Sequence, residues 1–130
     1  MKTLEELEVL FPERELAIGE RKITVREFSF LEGLKAGVLA SDLLDDLSGI
    51  VEPENVVNTG ELLNAFGRHA DVLVELIAMA TGEDREFIAG LNREDGENLL
   101  MTFWKANADF FGNRLAMRWI KERPPDAPLD

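Results

Sequence analysis

No cysteine occurs in this 130-residue chain, which removes disulfides, thiolate nucleophiles and Cys-based zinc or iron–sulfur sites together. His69 is the only histidine. A zinc site would need mainly carboxylates, which is uncommon, so His69 is expected to be structural or superficial. Cations are scarce: 14 Lys+Arg against 26 Asp+Glu give a formal net charge of -12. Such a field repels nucleic-acid phosphates and anionic lipid headgroups, so neither is an expected partner, whereas a basic protein segment or high solubility fits it. No apolar run approaches the length of a membrane span, and the acidic opening MKTLEELEVL lacks the n-region and h-region of a secretory signal; a cytoplasmic protein is expected.

Catalytic signatures are missing as well. The chain contains no G-x-S-x-G, no phosphate-binding glycine loop and no H-E-x-x-H. Asp42, Asp45 and Asp46 are of the type that holds a hard cation, but a rigid helix rotates Asp45 away from the other two, leaving a solvated acidic face. GEDREFIAGLNRED lacks the residue order of an EF-hand loop. The expectation is a protein without catalytic chemistry, cofactor or metal.

What is present is the composition of a folded domain, 45% apolar and 31% charged, enough apolar side chain to offset ordering entropy. The length suits one domain over 1–123, with PPDAPLD, which cannot continue a helix, marking a mobile tail over 124–130. TLEELEVL offers Thr3 and Glu6 at capping-box spacing and Leu4, Leu7 and Leu10 on one face, so a short N-terminal helix is expected before Phe11-Pro12. ELAI and ITVREF flank GERK and read as a hairpin with Gly19 in its turn.

Three long helices are expected after the hairpin. The first starts at Ser29, with Glu32 completing a capping box, and runs to about Ser48; Glu32, Lys35, Asp42 and Asp46 form its solvated stripe and the rest is expected to be covered. Gly33 and Gly37 on that helix suggest close packing. GIVEPENVVN connects it to a second helix, capped by Thr59 and running to Thr81-Gly82, with a clean apolar face from Leu62 to Ile77. A short helix, DREFIAGL, precedes the last, which starts at Asn92 or Asp95 and reaches about Lys121. The fold class is α+β, mainly α: an N-terminal helix and hairpin over 1–28 packed on a bundle of three to four helices over 29–123.

The last helix contains FWKANADFFGNR, aromatic yet polar. Phased at 100° per residue, Leu99, Phe103, Ala106, Phe110 and Met117 form one apolar stripe, and Leu100, Trp104, Phe111, Leu115 and Trp119 form a second beside it. Asn107 falls in the seam, in line with Arg114 and Arg118, while Asp109 turns to the polar side. Two readings follow. Either the second stripe is covered by the chain's own hairpin or N-terminal helix and Asn107 bonds a nearby backbone, or it is a protein-binding or self-association surface. In the second case Trp104, Asn107, Phe111, Arg114, Leu115, Arg118 and Trp119 are the candidate contact residues, extended by Val72 and Met79.

TVREFSFLEGLKAG and ELIAMATGEDREFIAGLNREDGENLLMTFWKANADFF together resemble the small tail assembly chaperones of tailed bacteriophages, encoded beside the tape-measure protein. The matching features are the extended segment entering a helix over Thr24 to Lys35, the helix end at Thr81-Gly82, the short polar helix over Asp84 to Leu91, and the N-x-D-F-F stretch from Asn107 to Phe111. The resemblance implies a non-enzymatic protein of the bacterial host cytoplasm that keeps the tape-measure protein soluble and helps recruit tail-tube protein. It transfers no binding residues. A structural virion tail component, such as a tail-completion protein, is the alternative, and a homo-oligomer is compatible with both.

Overall fold

The computed structural model describes residues 13–51 and 58–121; the expected helix at TLEELEVL and the 124–130 tail lie outside the described residues. The described chain is mainly helical with one two-stranded antiparallel sheet, the expected α+β, mainly α class. β1 (Arg14–Ile18) and β2 (Arg21–Val25) pair in the register Arg14 opposite Val25 through Ile18 opposite Arg21. Gly19 opens the two-residue turn at φ 61, a backbone region that only glycine enters without steric cost. An isolated hairpin would be marginal, and this one is held because Ile23 and Val25 are buried among helical side chains. Just past β2, the Arg26 N–H donates to the Ala80 carbonyl at 3.0 Å.

Seven helices follow among the described residues: α1 (Phe30–Leu39), α2 (Ser41–Ile50), α3 (Thr59–Arg68), α4 (Ala70–Thr81), α5 (Arg85–Ala89), α6 (Arg93–Ala106) and α7 (Ala108–Lys121). Ser29 and Glu32 form the expected capping box on α1. Asn92 caps α6 by accepting from the Asp95 N–H at 2.8 Å, and Gly82 closes α4 in the left-handed conformation. The cap of α3 is Asn58 rather than Thr59: the amide oxygen of Asn58 accepts from the Glu61 N–H at 3.1 Å, so Thr59 is already helical.

The larger departure is that each of the three long helices is two. The chain turns a corner at Ala40, at His69 and at Asn107, where φ/ψ are -94/13, -122/34 and -115/25. None of these residues is proline or glycine. Each corner keeps its backbone bonds: the Asn107 N–H donates to the Phe103 carbonyl and its own carbonyl accepts from the Phe111 N–H, both at 3.1 Å. Ala40 and His69 likewise donate back to Ala36 and Phe66 and accept from Leu44 and Leu73. The changes of direction therefore leave no orphan polar groups at these residues.

The corners resolve how two apolar stripes on one helix can both be used. Leu99, Leu100, Phe103 and Ala106 of α6 and Phe111 and Leu115 of α7 all enter one core, with Leu43, Leu44 and Leu47 of α2 and Leu76 and Ile77 of α4. Phe103 meets both Phe28 and Phe111 edge-on, each with centroids 5.8 Å apart.

Candidate protein-binding surface

Asn107, Phe111 and Leu115 lie inside the fold, which corrects their assignment to an outward contact surface. Phe111 is 1% exposed, stacked on Trp104 at 4.5 Å and edge-on to Phe110. Asn107 is 0% exposed, and its amide is fully employed: the oxygen accepts from the Phe28 N–H at 2.8 Å, and the nitrogen donates to the carbonyls of Arg26 at 3.1 Å and Phe103 at 3.4 Å. It fastens the segment leaving β2 to the α6–α7 corner. Its place in the seam is thus used by the chain's own backbone, the first of the two sequence readings.

Trp104 is half-buried between Phe111 and Phe66. Trp119 is also half-buried, its indole N–H donating to the Ser48 carbonyl at 3.0 Å. Arg118 bonds Asp45 at 2.8 Å and the Ser41 carbonyl at 3.3 Å, so both side chains tie α7 to α2. Val72 and Met79 pack partly against the core, and the Met79 carbonyl accepts from the Arg26 guanidinium at 2.9 Å. Of the nine candidates, Arg114 is the one that reaches an open apolar surface: it lies over the Phe110 ring at 5.3 Å and beside Gly37 of α1.

The titratable groups have structural partners. Asp46 meets His69 at 2.5 Å and Arg68 at 3.4 Å, joining α2 to the α3–α4 corner. The hydrogen bond with His69, aided by Arg68 and outweighing partial burial, holds the Asp46 carboxyl below its ordinary range. Burial would raise Glu32, but the Ser29 N–H and the Arg26 guanidinium hold it below the ordinary range instead. Asp45 and Asp46 thus turn to different partners, and no group of three potential metal ligands converges among the described residues. An open groove of about 470 Å³ lies between α4 and α5, lined by Asp71, Val74, Glu75, Arg85, Glu86 and Ala89, with Arg85 and Glu75 paired across it.

The surface that sequence reasoning missed is on α1. Its buried residue is the small Ala36, while Phe30 (79% exposed), Leu31 (63%), Leu34 (48%) and Val38 (82%) face outward. This inverts the ordinary arrangement, in which large apolar side chains face the core. The spacing i, i+1, i+4, i+8 places all four within about 100° of arc. Phe30-x3-Leu34-x3-Val38 is visible in the sequence, but a helix assumed to continue to Ser48 merges it with Leu43, Leu44 and Leu47. The corner at Ala40 separates the two sets, sending only the second inward.

Gly33 and Gly37 border this stripe differently from the expected backbone packing. A Cβ on Gly37 would meet the Arg114 guanidinium at 3.0 Å, whereas one on Gly33 would meet nothing within 4 Å. The stripe is therefore flanked by Lys35 on its own helix and by Arg114 from α7, a cationic margin on a chain of net charge -12.

The chain belongs to a family of unknown function, DUF6631, whose match spans residues 6–127. No curated protein and no solved structure matches it.

Proposed function

We propose that the protein is a non-enzymatic binding protein that takes an amphipathic helix on the α1 stripe, and that it acts as a tail assembly chaperone, holding a tape-measure protein soluble in the cytoplasm of a bacterial host. The observation that carries the reading is the stripe itself: four large apolar side chains face solvent on a helix whose inner side is alanine. Contiguous exposed apolar surface of this kind, rimmed by charge, is a mark of protein-binding sites. A strongly acidic body supports the role by keeping such a surface, and a client on it, in solution. The resemblance of TVREFSFLEGLKAG through NADFF to phage tail assembly chaperones supplies the client class.

Co-expression with the tape-measure protein encoded alongside tests it. The expected outcome is that the partner becomes soluble and co-purifies with the wild-type chain, while Leu34→Asp with Val38→Asp abolishes both effects without lowering the melting temperature. An unchanged partner, or capture that survives the double substitution, defeats the reading. Presence of the chain in purified virions would instead favour a structural tail component.

A further inference from the structure

The α1 stripe has cations at both margins, and they narrow what can lie on it. We infer that its partner is an amphipathic helix edged with carboxylates, and that Arg114 is the residue that selects it. This rests on the reading of the stripe as a docking surface, but not on the identity of any client.

Arg114 is set apart by what it lacks. On a chain with 26 acidic residues, Arg21, Arg26, Arg68, Arg85, Arg93 and Arg118 each pair with a carboxylate, whereas Arg114 pairs with none among the described residues. Arg118, one turn further along α7, is tied down by Asp45 at 2.8 Å and the Ser41 carbonyl at 3.3 Å. Arg114 instead lies over the Phe110 ring at 5.3 Å, donates to the Met117 sulfur at 3.8 Å, and passes Gly37, where a Cβ would stand 3.0 Å from its Nε. The missing side chain at Gly37 lets the guanidinium reach the edge of the stripe. A half-buried guanidinium on an aromatic face keeps its charge, sheds part of its water and still has donors for a carboxylate from outside.

α1 contributes the other margin. At 100° per residue, Lys35 borders the stripe on the side away from Gly37, while Glu32, the one acid on this helix, turns to the far side and is held by Arg26 at 3.2 Å. A partner therefore meets positive charge at both edges, although the chain as a whole carries -12. A second copy laid face to face would set cation against cation in either direction, and a lysine-edged helix would meet the same repulsion. An acid-edged helix is attracted at both edges. Phe30 to Val38 spans about 12 Å of axis at 1.5 Å per residue, so roughly two turns of a partner helix, with carboxylates flanking its apolar side chains, cover it.

Two synthetic helices of about 18 residues test this against the full chain. They share one leucine stripe and differ only in whether Glu or Lys flanks it. Fluorescence anisotropy reads Kd at about 0.15 M salt, where a screening length of about 8 Å lets the margins outweigh distant acids. The expected result is that the Glu-edged helix binds at least about fivefold more tightly, that Arg114→Gln cuts this preference to about twofold or less, and that Arg114→Lys retains it. Circular dichroism and urea unfolding confirm that each variant is folded. A Lys-edged helix that binds equally or more tightly, or a preference indifferent to Arg114→Gln, overturns the inference while leaving the docking surface intact. Binding by neither helix, or binding that Leu34→Asp with Val38→Asp fails to abolish, would bring down the docking surface itself and this inference with it.

Discussion

Asn107 and the α1 stripe break the same rule in opposite directions. One is an amide in the middle of an aromatic core, 0% exposed; the other is a row of large apolar side chains in water, Val38 82% exposed. The difference lies in what each finds there. Asn107 satisfies its oxygen on the Phe28 N–H and its amide hydrogens on the Arg26 and Phe103 carbonyls, so its burial is compensated and it specifies how the hairpin meets the helices. The stripe finds nothing among the described residues. Fully burying a side chain of this size contributes roughly 1.5–3 kcal/mol, most of which this fold forgoes at Phe30 and Val38 and part of it at Leu31 and Leu34. The amide is explained by contacts within the fold; the stripe has no such explanation among the described residues, and the proposed partner would supply one.

If that contrast is right, substitutions in the core corner should be costly and those on α1 nearly free. The largest effect is expected for Phe111→Ala, which removes a ring contacting Trp104, Phe103 and Phe110 and should cost about 3–5 kcal/mol in urea unfolding. Asn107→Leu follows. It keeps the number and branching of side-chain heavy atoms but leaves the Phe28 N–H and the Arg26 carbonyl without their partner, and should cost roughly 2–4 kcal/mol. A loss under about 0.5 kcal/mol would mean that the amide is not what fastens the corner, and the comparison would lose one of its terms.

How much of this was legible in the sequence follows from the range of the interactions. The hairpin, the α1 capping box and the Gly82 stop are local, set by residues within about four positions of one another, and the pattern contains them. The corners are not local. Ala40, His69 and Asn107 carry no helix-breaking signal of their own, and the bonds that hold Asn107 reach residues 79 and 81 positions away. Phasing a helix through an unseen corner keeps the apolar positions but assigns them wrong neighbours. That is why Phe111 and Leu115 looked like a surface and Phe30 to Val38 looked covered. The seam position of Asn107 was legible; the identity of its partners was not.

Acid should probe a smaller contribution, from carboxylates that hold corners and caps together. Asp46 and Glu32 are both held below their ordinary range in the folded chain, so the unfolded chain binds protons first as pH falls. Their contribution is full above the ordinary carboxylate range, near about pH 4–4.5, and is lost as pH drops through the lower folded values. Asp46→Asn and Glu32→Gln should each lower stability at neutral pH and flatten this acid limb, the curves converging with wild type at low pH. Both side chains are partly exposed, so solvent keeps the effect modest. Unfolding midpoints measured from pH 7 to pH 2 would decide, and parallel curves for wild type and variants would show that these pairs contribute nothing to folding.

The smallest expected change in stability bears most directly on what α1 is for. Gly33 sits in a helix with open space where a Cβ would go, so Gly33→Ala should stabilise the protein by about 0.5–1 kcal/mol through helix propensity alone. Retaining a glycine there forgoes that gain, and it does so beside the stripe. If another helix approaches closely along this edge, the added methyl should stabilise the isolated chain yet weaken capture of its partner. Thermal melting and co-purification on the same variant separate the two effects. A variant that is more stable and binds equally well would remove Gly33 from the contact and confine it to the large side chains from Phe30 to Val38.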